Sequence, residues 1–173
     1  MKAMQYTLDQ LNSISTDAFV AALSGIFEHS PWVAEVAAAQ RPYANIDALH
    51  KTMSSAVETA GEAKQLALIN AHPELAGKAA VRGELTAEST REQSGAGLGQ
   101  CTQEEFDKLL GLNAAYREKF GFPFILAVRG YDRYGIIANF EARVNNSRAD
   151  ELRASLDQIY HIARFRLDDL ISA

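Results

Sequence analysis

Three places in the chain combine side chains able to move protons or hold anions. His72 stands where a helical pattern stops at Pro73, with Leu68 and Ile69 one turn behind it. Its ring is therefore expected to point at least partly inward. Imidazole titrates near an unperturbed value of about 6.5, so it both gives and takes protons at neutral pH. A purely structural histidine is the competing reading. Ser89-Thr90-Arg91-Glu92-Gln93 packs a hydroxyl, a carboxylate and a carboxamide together beside a glycine-rich stretch. That density suits a polar ligand with many donors and acceptors, although Ser89-x-x-Glu92 also reads as a helix capping box. Arg166 is the third place. It falls on one helical stripe with Leu152, Leu156, Ile159, Ala163 and Leu170. A guanidinium cannot shed its charge, so burial demands an anionic partner or a wet cavity. An internal ion pair, a snorkelling side chain and an anion-binding pocket wall all meet that demand. Arg164 lies on the polar side, where an i, i+4 pair with Asp168 accounts for it.

The elements that must position these residues are helical. Thr7-x-x-Gln10 reads as a capping box for a short helix ending near Ser13, and Thr16 as the cap of a second helix carrying Phe19 and Leu23. Pro31 suits the first turn of a third helix, which runs to about Gln40 and stops before Pro42. Asn45 caps a fourth, with Ile46, Leu49, Met53 and Val57 on one stripe, and Glu62 to Ala71 forms a fifth. Beyond the mixed stretch Glu74 to Gly83, a short helix is expected over Thr86 to Gln93, followed by a flexible glycine-rich loop from Ser94 to Gly99. Gly95-x-Gly97-x-Gly99 is not the dinucleotide-binding spacing and follows no predicted strand. Thr102-x-x-Glu105 opens a helix to about Lys119, which Pro123 prevents from continuing, and Ile125 to Val128 is an apolar run expected to be extended. A helix from about Arg133 to Val144 breaks at Asn145-Asn146, and Ser147-x-x-Asp150 starts a long last helix to about Leu170. The pattern predicts an all-α fold, a single-domain bundle of about seven to nine helices over residues 1–173.

Composition narrows the function classes. The chain has 173 residues, 47% hydrophobic, which suits one folded domain and argues against disorder. A net charge of -5, from 17 basic and 22 acidic side chains, argues against a nucleic-acid partner. Cys101 is the only cysteine and no histidine pair has helical metal-site spacing, so neither a disulfide framework nor a metal site is expected. No apolar run approaches the roughly 18–20 residues that span a bilayer, so no membrane partner is expected. Met1 to Leu11 carries Lys2 without an apolar core, which is not the pattern of a secretory signal. Ile171-Ser172-Ala173 is not a peroxisomal address. The expected setting is cytoplasmic.

Taken together, the motifs resemble one family. Ala71-His72-Pro73-Glu74-Leu75-Ala76-Gly77, then Leu85-Thr86-x-x-Ser89-x-x-Glu92-Gln93-x-x-Ala96-Gly97-Leu98, is similar to the 2-oxo-4-hydroxy-4-carboxy-5-ureidoimidazoline (OHCU) decarboxylases. The likeness continues through Asn113-x-x-Tyr116-x-x-Lys119-Phe120-Gly121-Phe122-Pro123-Phe124-Ile125 and Ile162-Ala163-x-x-Arg166-Leu167. It spans essentially the whole chain. The resemblance implies an all-α enzyme without a cofactor, commonly a homodimer, that takes OHCU to (S)-allantoin in urate breakdown. It implies His72 as the catalytic histidine and Glu92 as its acidic partner. It further implies substrate contacts at Pro73, Ser89, Gln93, main-chain groups of Phe124 and Ile125, and Arg166, with Arg164 as the alternative arginine. Two rival readings remain: a helical module without catalysis that binds a small anion or a partner, and an enzyme acting on a neighbouring ureido intermediate.

Overall fold

A computed structural model describes residues 5–77 and 83–172. Lys2, Ala173 and the middle of the Glu74–Gly83 stretch lie outside the described residues. Nine α-helices are present among those residues, and the all-α expectation holds. They are α1 (Leu8–Ser13), α2 (Thr16–Leu23), α3 (Pro31–Ala39), α4 (Ile46–Thr59), α5 (Glu62–Ala71), α6 (Ala87–Gly95), α7 (Gln103–Phe120), α8 (Arg133–Arg143) and α9 (Arg148–Leu170). A 3-10 turn covers Leu98–Gln100. The chain forms two compact units, one being Ile69–Ile159 and the other the chain on either side of it.

In the unit built from both ends of the chain, the Thr7 and Gln10 capping box is formed as expected. Ser15, rather than Thr16, caps α2, its Oγ accepting from the Ala18 N–H at 3.1 Å. Both residue types cap well, so the pattern located the cap to within one position. A feature that periodicity cannot show joins the ends: strands Tyr6–Thr7 and Ile171–Ser172 pair in parallel, Tyr6 opposite Ile171. Two-residue strands are too short to leave an alternation signal. Helix α3 packs on both α2 and α4. Phe19, Leu23, Leu49, Met53, Val57, Ala163 and Leu167 are buried in this unit.

In the Ile69–Ile159 unit the core is aromatic. Tyr116 meets Phe120, Phe122, Phe124 and Phe140 with ring centroids 4.4 to 6.0 Å apart. Such pairs add about 0.5–1.5 kcal/mol each beyond the area they bury. Helix α7 is opened by the expected Thr102 and Glu105 capping box and closed by Gly121 at φ +80°, a conformation glycine adopts without strain. Ile125 to Val128 is buried and pairs with no strand. One expectation changes here. The glycine-rich stretch is not a loose loop: α6 runs through Gly95, Gly97 turns the chain at φ +79°, and Ala96 and Leu98 are buried. Two apolar anchors offset the freedom of its glycines.

Candidate active site

His72, Pro73, Ser89, Glu92, Gln93, Phe124 and Ile125 all belong to the Ile69–Ile159 unit, whereas Arg166 belongs to the other. His72 sits one residue beyond α5, its N–H donating to the Ile69 carbonyl at 3.2 Å. It is buried, and Pro73 is half-buried. The chain then makes a tight turn. Ala76 takes φ +52°, and a Cβ on Gly77 would stand 2.8 Å from the Glu74 Cβ. That position therefore accepts only glycine without displacement of the turn.

Three side chains fasten this turn. Gln93 Oε1 accepts from the Ala76 N–H at 2.9 Å, and Gln93 Nε2 donates to the Glu74 carbonyl at 3.3 Å. Asn113 Nδ2, buried on α7, donates to the Leu75 carbonyl at 3.0 Å. Arg117 Nε donates to Glu74 Oε1 at 2.9 Å. A carboxamide offers two donors and two acceptor lone pairs, so Gln93 anchors the turn with half of its capacity. Its other half remains chemically suited to a polar ligand.

Helix α6 presents the remaining polar groups. Thr86 is its cap, with Oγ1 accepting from the Ser89 N–H at 3.1 Å. The capping-box reading of Ser89-x-x-Glu92 is thereby corrected, because both residues lie inside the helix. Ser89, Glu92 and Gln93 follow an i, i+3, i+4 spacing and share one face. Ser89 and Gln93 are buried and Glu92 is half-buried. Gln93 and Ala76 also wall a cavity of ≈ 340 Å³ together with Thr90, Leu98, Cys101 and Phe106. Burial pushes the Cys101 thiol above its ordinary value, and the Glu105 carboxylate adds to the shift. A thiol so shifted is a poor nucleophile at neutral pH.

Phe124 and Ile125 are held differently. Arg143 Nη1 donates to the Ile125 carbonyl at 2.6 Å, and its guanidinium carbon lies 4.5 Å from the Phe124 ring centroid. Gln158 Oε1 accepts from the Ala127 N–H at 2.9 Å.

In the other unit, Arg166 is buried on the stripe that the sequence assigned to it. Its Nη2 donates to Glu28 Oε1 at 2.8 Å and its Nη1 to the Gly25 carbonyl at 2.9 Å. The buried charge thus has a buried counter-ion, as the ion-pair reading required. Arg164 pairs with Asp168 at 3.0 Å and with Asp47, on the exposed side. Asp47 is consequently held below the usual carboxylate range, chiefly by its hydrogen bond to Arg164.

Sequence reasoning gave no role to Asn113, Arg117, Arg143 or Glu151. One signal was available: Asn113 falls in register with the buried Leu109, Tyr116 and Phe120, the same anomaly that marked Arg166. Among the described residues no cluster of three His, Cys, Asp or Glu side chains is placed to hold a metal ion. No helix of those residues is long and apolar enough to cross a membrane.

The sequence matches the family model described as OHCU decarboxylase over residues 12–168. A 2-oxo-4-hydroxy-4-carboxy-5-ureidoimidazoline decarboxylase of Haloferax volcanii is 41% identical over 169 residues, covering 98% of both chains. The uric acid degradation bifunctional protein PucL of Bacillus subtilis is 42% identical over 167 residues, 96% of this chain. The chain spans only 33% of PucL. Among solved structures, (S)-allantoin synthase superposes with a TM-score of 0.79 at 29% identity, covering 96% of this chain and 54% of that one. An OHCU decarboxylase crystallised in the presence of (S)-allantoin has a TM-score of 0.68 at 19% identity, covering 91% of this chain and 99% of that one. That second likeness concerns the fold alone.

Proposed function

The chain belongs to the OHCU decarboxylase family, and from that premise we propose that it converts 2-oxo-4-hydroxy-4-carboxy-5-ureidoimidazoline to (S)-allantoin and CO2. Its role is that of an enzyme in urate degradation. The observation that carries the site assignment is the fastened turn after His72. The helix that pins it through Gln93 also carries Ser89 and Glu92 on the same face.

The chemistry follows from the substrate. When the carboxylate leaves as CO2, its bonding pair stays with the imidazoline ring, delocalised through the adjacent C=N bond. The substrate thus supplies its own electron sink. The hydroxyl on the former carboxylate carbon loses its proton to become a carbonyl, and a ring carbon gains a proton on one face. One further proton from solvent neutralises the ring anion. The protein must orient the ring, stabilise charge and deliver the proton. His72, with Glu92 as its acidic partner, takes the hydroxyl proton and protonates the ring carbon stereospecifically. Pro73, Ser89, Gln93 and the main chain of Phe124 and Ile125 hold the ureidoimidazoline ring. Arg166, on the resemblance, meets an anionic group of the substrate. The reading extends to one OHCU decarboxylase-like domain over residues 1–173, working on the family resemblance as a homodimer without a cofactor, and to a cytoplasmic setting.

The test generates the unstable substrate in situ from urate with the two preceding enzymes and follows circular dichroism after the protein is added. Rapid appearance of one allantoin enantiomer is expected. A signal no faster and no more chiral than the uncatalysed control would refute the assignment.

A further inference from the structure

The chain from Phe122 to Val128 is buried yet lies in neither helix nor sheet, so side chains must fix it. One guanidinium reaches both of the residues whose main chain is proposed to meet the substrate ring. Arg143 Nη1 donates to the Ile125 carbonyl at 2.6 Å, while the same guanidinium lies 4.5 Å from the Phe124 ring centroid. Arg143 is itself set by Glu151, which is 0% exposed. Glu151 Oε1 accepts from Arg143 Nε at 2.9 Å and from the Tyr116 hydroxyl at 2.6 Å. Its Oε2 accepts from Asn146 Nδ2 at 3.0 Å. Helices α7, α8 and α9 thereby converge on one carboxylate. The Phe124 ring is stacked on Phe140, centroids 3.9 Å apart, which leaves it little room to turn.

Stability alone does not call for such a pair, since apolar packing of similar volume serves as well or better. The planar fork adds directed placement: it lies against an aromatic ring while donating within its own plane, which an ammonium group cannot do. We propose that Arg143 is a positioning residue for the decarboxylation, fixing the Phe124–Ile125 main chain where the ureidoimidazoline ring is held. It does not itself touch the substrate. This inference rests on the proposed function and adds to it the residue that sets one wall of the ring site.

The test compares Arg143→Lys with Tyr116→Phe in the in situ assay, each alongside its thermal midpoint. Tyr116→Phe removes a bond from the same carboxylate but leaves the guanidinium on Ile125. Arg143→Lys is expected to lower kcat/KM by on the order of 10- to 10²-fold, mostly through KM, because small misplacements of a bound ring are that costly. The enantiomeric purity of the product should fall with it. Tyr116→Phe is expected to lower the thermal midpoint with KM unchanged. Wild-type kinetics for Arg143→Lys, or equal KM changes in both variants, would overturn the proposal. If Arg143→Lys is recovered only unfolded, Glu151→Gln decides, since it removes the charge that sets the guanidinium: a raised KM supports the proposal and an unchanged KM overturns it. A wild-type protein inert toward the substrate would instead remove the proposed function, and this inference with it.

Discussion

Two buried stretches of irregular chain in the Ile69–Ile159 unit are fastened by opposite means. The turn after His72 is held by neutral carboxamides, Gln93 and Asn113, with one partly exposed ion pair between Arg117 and Glu74. The Phe122–Val128 stretch is held by a charged hub, Arg143 on Glu151, with Tyr116 and Asn146 completing it. Neutral amide bonds contribute about 0.5–1.5 kcal/mol each and do not change with pH. A buried ion pair contributes little net stability when whole but exacts a large penalty when one partner is lost. The turn after the proposed acid/base histidine therefore rests chiefly on neutral bonds, and the Phe122–Val128 stretch depends on an intact charge pair.

The sharpest way to break this contrast is Glu151→Ala, which strands the Arg143 guanidinium. Loss of one buried partner costs about 3–5 kcal/mol, read as a drop in the denaturant midpoint. A change below 1 kcal/mol (on the order of an exposed pair) would mean the hub is solvated. In the turn, Gly77→Ala drives a Cβ to 2.8 Å from the Glu74 Cβ and 3.2 Å from its Oε2. The expected loss is about 1–3 kcal/mol with reduced kcat, since the strain sits beside His72. A fully active, equally stable variant would show that the turn yields freely. The smallest effect is a pH slope. Burial, with the hydrogen bond to Glu151 next, pushes the Tyr116 phenol above its ordinary value. A raised value favours the neutral phenol in the folded state. That stability is fully present below the ordinary tyrosine value of about 10 and is lost as pH rises from there. Tyr116→Phe should therefore flatten the fall of the thermal midpoint above about pH 10, and an identical slope would contradict the assignment.

Helix positions and most caps were legible because periodicity and cap chemistry are local. Thr7 with Gln10, Asn45 and Thr102 with Glu105 cap where the pattern placed them. The burial of Arg166 was legible too, since a charge on an apolar stripe stands out. Its partner Glu28 was not, because the pair is separated by most of the chain. The capping motif Ser89-x-x-Glu92 misled for a local reason: Thr86 lies three residues earlier and caps first, leaving Ser89 and Glu92 within the helix. The fastening of the two irregular stretches depends on distant contacts, Gln93 to Ala76 and Arg143 to Ile125, for which linear spacing carries no signal.

His72 is proposed to handle the protons of an OHCU decarboxylation, and His72→Ala in the in situ circular dichroism assay puts that role to the test. General acid–base assistance is worth about 10²–10⁴-fold, so the variant should fall by that much, with its residual allantoin approaching the racemate. Turnover near that of the unmodified protein, to a single enantiomer, would contradict the account.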